Sequence, residues 1–103
     1  MAMTVVVTRN VEERYRGFLA SCMLEIAAGV YTGPRMTSGV RDRVWRVLSD
    51  WHRTLGQGSI VMTWSDLAEP GGQGVRLLGE PPRNLYEVDG TLLVRRPTEA
   101  TPP

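Results

Sequence analysis

The sequence predicts an α+β fold with two helices on one face of a mostly antiparallel sheet. Three observations carry that prediction. A β-branched run opens the chain at residues 3–8. Two stretches of helical apolar period follow, at residues 15–26 and 40–55. Short apolar runs separated by Gly, Pro and Asp-Gly breaks fill the remainder.

The elements read in order as follows. Thr4, Val5, Val6 and Val7 make a short strand, ended by the polar pair Arg9-Asn10. Asn10 precedes Glu13 by three residues, the spacing of a capping box. Tyr15, Phe18, Leu19, Cys22, Met23 and Ile26 then repeat at i, i+3, i+4, i+7, i+8 and i+11, one stripe of a helix. On that stripe Cys22 is a small buried hydrophobe. Gly29 supplies a stop, and residues 30–32 form a very short strand before Gly33-Pro34. Thr37 or Ser38 can cap a second helix. Its apolar stripe is Val40, Val44, Val47, Leu48, Trp51 and Leu55, with Arg41, Arg43, Arg46 and Arg53 mostly on other faces. Residues 59–65 are a nearly continuous apolar strand, central in the sheet. Residues 75–78 return beside it after a Pro-Gly-Gly turn. A further strand leads into Asp89-Gly90, and residues 91–96 form the last one. The domain is expected over residues 1–96, with a disordered tail at 97–103.

At 103 residues a single core is expected. Such a domain buries roughly 65% of its unfolded surface, so it folds alone and still gains from a partner. One cysteine excludes a disulfide framework and a Cys-based zinc site. No segment approaches the ~20 apolar residues of a membrane span, and a cytoplasmic protein is expected.

The net charge of +1 hides a pattern. Residues 1–53 carry eight Arg against five acids; residues 54–103 carry four against six. All 12 basic residues are Arg. A GC-rich genome explains the missing lysines, but not the N-terminal clustering. Arg is also the residue whose planar fork grips phosphate bidentately.

Catalytic signatures are sparse. There is no P-loop, no G-x-S-x-G elbow and no H-E-x-x-H helix. His52 is the sole histidine and reads as a lone surface residue. Asp42 and Asp50 share a helix but stand ~12 Å apart along it, too far for one ion. Asp66 and Glu69 flank a turn and read as solvated. No metal-binding set emerges. The basic residues Arg9, Arg14 and Arg16 crowd the start of the first helix. Cations there oppose the helix dipole by ~0.3–1 kcal/mol each, while the free N–H groups welcome phosphate. A solvated face balanced by Glu12 and Glu13 is the competing reading.

Residues 3–8, Asn10-Val11, Arg14-Tyr15-Arg16-Gly17, Leu24-Glu25, Ala28-Gly29-Val30-Tyr31-x-Gly33, the Trp45-bearing helix, Val61-Met62-x-Trp64 and Asp89-Gly90 occur in a familiar order. Together they resemble CRISPR-associated Cas-two proteins of the type I-E branch over residues 1–96. The resemblance implies a ferredoxin-like fold and a homodimer with its sheets packed face to face. It also implies that residues 24–27 are extended and pair with 30–32, against the helical period. The implied function is a non-catalytic scaffold of CRISPR adaptation. Such a scaffold bridges dimers of the Cas-one integrase and holds duplex DNA by its backbone. Arg14, Arg16 and Arg83 match the family's DNA-contacting positions, although Pro82 replaces an arginine beside Arg83. Leu92, Leu93, Val94 and Arg95 resemble the strand that docks on Cas-one. Other branches are metal-dependent endonucleases, with magnesium as the cofactor and an acid after the first strand. Arg9 stands there in this chain and would repel a cation. No cofactor is therefore expected. A stand-alone interaction module is the third reading.

Overall fold

The computed structural model describes residues 3–79 and 84–95. The order is β1 (Thr4–Arg9), α1 (Glu13–Cys22), β2 (Leu24–Ala27), β3 (Val30–Gly33), α2 (Ser38–Leu55), β4 (Ser59–Ser65), β5 (Gln73–Leu78), β6 (Asn84–Val88) and β7 (Thr91–Arg95). A five-stranded antiparallel sheet has the order β2-β3-β1-β4-β5, and β6 and β7 form a separate hairpin. The first four strands and two helices make the ferredoxin-like β-α-β-β-α-β unit, with β5 added at one edge.

Period-2 alternation assigns the two faces of the sheet. Val6 pairs with Tyr31 and Met62, and Thr4 pairs with Trp64. These side chains, with Ile60, are buried on the helix side. Val5, Val7, Val61, Thr63 and Leu77 alternate to the other side, which no helix covers. Val7 is 41% exposed there, and Leu24 on the edge is 64% exposed. Among the described residues the sheet thus has one dry face and one open apolar face.

The helices dock through Tyr15, Leu19, Val44 and Leu48. Trp51 wedges between them, edge-on to Tyr15 at 5.5 Å and to Phe18 at 5.5 Å. Such aromatic pairs add ~0.5–1.5 kcal/mol beyond burial. Thr37 caps α2, its hydroxyl accepting from the Val40 N–H at 3.2 Å, and Gly56 ends the helix in the left-handed conformation.

Several expectations are corrected. The helical period overran: α1 stops at Cys22, and Met23 is already extended at φ −138° and ψ 168°. Residues 24–27 pair with β3, as the family resemblance implied. Tertiary pairing overrode the apolar period because β2 completes the sheet edge. Cys22, at the last turn, is exposed rather than buried. The capping box does not form. Glu12 is the N-cap without a side-chain bond, and Asn10 turns the chain with φ +58°. Arg41, expected off the apolar stripe, is buried, while Val40 on the stripe is 39% exposed. His52 is half-buried, its Nε2 3.1 Å from the Gly58 carbonyl oxygen. The tail at 97–103 and Arg83 lie outside the described residues.

The loop after α2 closes on the β1–α1 connection. Gln57 Nε2 donates to the Asn10 carbonyl at 3.2 Å. Gly58, at φ +82°, packs so tightly that a Cβ would lie 2.6 Å from the Arg9 carbonyl oxygen. Only glycine satisfies both the conformation and the approach.

Candidate nucleic-acid interface at the mouth of helix one

Helix α1 begins without a capping side chain and places Arg14 and Arg16 in its first turns. Two residues apart on a helix means ~200° apart around its axis, so the two guanidiniums leave in different directions. Arg14 points toward α2. Its guanidinium carbon lies 5.6 Å from the Trp51 ring centroid, and its Nε is 3.5 Å from a Glu12 carboxylate oxygen. Arg16 points toward the β2–β3 edge, with Nη2 3.8 Å from Glu25 Oε2. The Tyr31 hydroxyl and then Glu13 hold the Arg16 guanidinium even more firmly in its charged form.

Both side chains stay open to solvent, Arg14 at 54% and Arg16 at 46%. Ion pairs at these distances and exposures contribute ~0–1 kcal/mol and are screened by salt. A phosphate can displace them. The two arginines are therefore neither locked nor hidden.

The floor beneath Arg16 is built from β1 and the β2–β3 turn. The Thr8 N–H donates to the Gly29 carbonyl at 2.7 Å, and the Thr8 hydroxyl donates to the same oxygen at 3.1 Å. Gly29 takes φ +79°, and its N–H donates to Glu25 Oε2 at 3.1 Å. Glu25 thus ties the turn and tethers Arg16 with one oxygen. A cleft of ≈ 220 Å³ opens here, lined by Thr8, Asn10, Val11, Arg16, Ala28 and Gly29.

Arg14 and Arg16 are brought to one helix mouth, as the sequence indicated. The remaining candidate residues lie elsewhere. Arg83 lies outside the described residues. Leu92, Leu93 and Val94 sit on β7, which pairs with β6. Leu93 is 39% and Val94 51% exposed, while Leu92 approaches Gly71 closely. Arg95 ends the same strand. The sequence reading missed Glu25, Tyr31 and Trp51 as neighbours of the site. The Glu25-Gly29 spacing was visible, but only sheet pairing shows that it frames Arg16.

Three of the acids are engaged in other work. Asp42 accepts from Arg76 at 2.8 Å, Asp50 accepts from Arg53, and Asp66 accepts from the Ala68 N–H at 3.0 Å. Among the described residues no three His, Cys, Asp or Glu side chains converge as a metal set. Arg9, the last residue of β1, brings a guanidinium rather than a carboxylate to the end of that strand.

A ferredoxin-like sheet, an uncovered apolar face and two exposed arginines at a helix mouth define a small α+β protein with a cationic helix start. No helix among the described residues is long and apolar enough to cross a membrane. The chain matches the family described as CRISPR-associated protein (Cas_Cas2CT1978) over residues 3–93, and it belongs to that family. It is a Cas2-type CRISPR protein.

Proposed function

We propose that this protein is the non-catalytic, DNA-binding scaffold of a type I-E adaptation complex. It bridges Cas-one integrase dimers in the cytoplasm and holds the captured duplex by its backbone. The observation that carries this reading is the pair Arg14 and Arg16, exposed and loosely tethered beside a helix N-terminus. Phosphate contacts of that kind position a duplex without reading its sequence. The test is duplex binding by a chain lacking both guanidiniums. The endonuclease alternative gains no support from the site, because a guanidinium at Arg9 repels a metal cation.

The homodimer belongs to the same proposal. An open face carrying Val5, Val7, Val61 and Leu77 gains by burial against a second copy, at ~25 cal/mol per Å² of apolar area. Val7→Glu is expected to leave the helix-side core intact and to shift the protein to monomer, as read by sedimentation equilibrium. A Val7→Glu protein that remains dimeric overturns this choice of interface.

Glu25 modulates the site in the opposite sense. Glu25→Gln keeps an oxygen for the Gly29 N–H and removes the negative charge beside Arg16. Duplex affinity is then expected to rise about two- to fivefold at low salt, with the gain fading at high salt. Titration of a labelled duplex measures it. Unchanged or weaker binding would show that Glu25 does not compete with phosphate.

A further inference from the structure

We propose that the outer face of α2 is a second phosphate-binding track for duplex DNA, carried by Arg43, Arg46 and Arg53. The inference rests on the DNA-binding reading above and extends it to a face outside the α1 mouth. At 100° per residue, positions 43, 46, 50 and 53 fall within an arc of ~80°. Buried Val44 and Leu48 lie on the opposite side of the helix. All three arginines are exposed. Arg53 is paired with Asp50, and its side chain is still 74% exposed. Arg43 and Arg46 take part in none of the ion pairs among the described residues.

The arrangement is poor design for an isolated helix. Like charges three residues apart repel. The first turn of α2 contains no acid to favour the dipole, and the nearby Asp42 reaches across to Arg76 instead. A codon bias toward arginine explains the residue type but not why three of the four arginines of α2 share one exposed arc. From Arg43 to Arg53 the track runs ~15 Å along the axis. Duplex DNA carries one negative charge per ~1.7 Å, so several phosphates lie opposite that length.

Nucleic acid fits better than an acidic protein. The outer arc holds Asp42, Arg43, Arg46, Ser49, Asp50 and Arg53, with no aromatic or aliphatic side chain. A protein interface needs an apolar or aromatic centre, whereas a phosphate rail needs none.

The test uses the full chain carrying Arg43→Ala, Arg46→Ala and Arg53→Ala, titrated by fluorescence anisotropy against two duplexes of unrelated sequence over a salt series. The expected result is weaker binding, at least about tenfold at low salt, equal for both sequences. The slope of log affinity against log salt should fall by about two to three. Lys at the same three positions should restore most of that slope, which separates charge from folding. Parental affinity and slope in the alanine variant, or failure of lysine to rescue, would overturn the proposal. So would loss of binding to an acidic polypeptide with duplex binding intact, or a parent that binds no duplex. An Arg14→Ala and Arg16→Ala chain is run in parallel. If that chain binds normally while the α2 variant does not, the mouth assignment fails and the track stands. If only the mouth variant loses binding, the track is overturned.

Discussion

Removing both guanidiniums at the mouth of α1, by Arg14→Ala with Arg16→Ala, is expected to weaken duplex binding about ten- to a hundredfold at low salt. The loss should be the same for unrelated sequences. Each arginine offers charge-assisted hydrogen bonds worth ~1.5–3 kcal/mol when desolvated, and solvent exposure brings the pair toward ~1.4–2.8 kcal/mol in total. Two lost phosphate contacts should lower the salt slope by about two. Stability should change little. Removing cations from a helix start relieves ~0.3–1 kcal/mol each, while the lost Arg14–Trp51 contact costs ~0.5–1 kcal/mol. Anisotropy titrations across salt, with a thermal melt as control, measure both quantities. Capture and integration of DNA at parental levels, with Cas-one present, would refute the proposed contacts.

Trp64→Ala is expected to be the most destabilising single change outside that site. Trp64 is 7% exposed. The Arg41 guanidinium stacks on its ring at 4.2 Å and that of Arg76 at 4.9 Å. Its indole N–H points to the Asp66 carboxylate at 3.4 Å, and Gly74 lies so close against the ring that no Cβ would fit. Truncation leaves a cavity costing ~3–5 kcal/mol, from a total of ~5–15 kcal/mol. It also strips the stacking partner from Arg41, which is buried with its Nε unpaired. At ~4–8 °C per kcal/mol the melting temperature should fall by about 15–30 °C, read by circular dichroism. Adding Arg41→Met to Trp64→Ala should recover part of the loss, since an uncompensated buried charge is then gone. A fall under ~5 °C would show that the stack contributes little.

The buried Arg41 illustrates where sequence reading stops. Its position beside a valine stripe was visible, and its charge argued for an outer face. The ring of Trp64, 23 residues later, supplies a flat surface that makes burial tolerable. No window of local sequence contains that surface. Met23 and Ile26 make the same point. Their spacing continues the helix, but Met23 is already extended and the vacant edge of β3 takes residues 24–27 into a strand. Asn10 and Glu13 have the right separation for a capping box. The chain leaves Asn10 in a left-handed turn, locked by Gln57 and Gly58, so the box cannot form.

Properties with a local cause were therefore legible from the amino acids alone. These include the β-branched run of β1, the apolar periods of the helices, a cap at Thr37 or Ser38 and the arginines at the α1 start. Properties set by residues far apart in the chain required the folded molecule. These are the end of α1, the burial of Arg41 and the tether of Arg16 by Glu25. The division follows from range. Propensity and capping act within about one helical turn, whereas desolvation, stacking and edge pairing depend on surfaces that folding brings together.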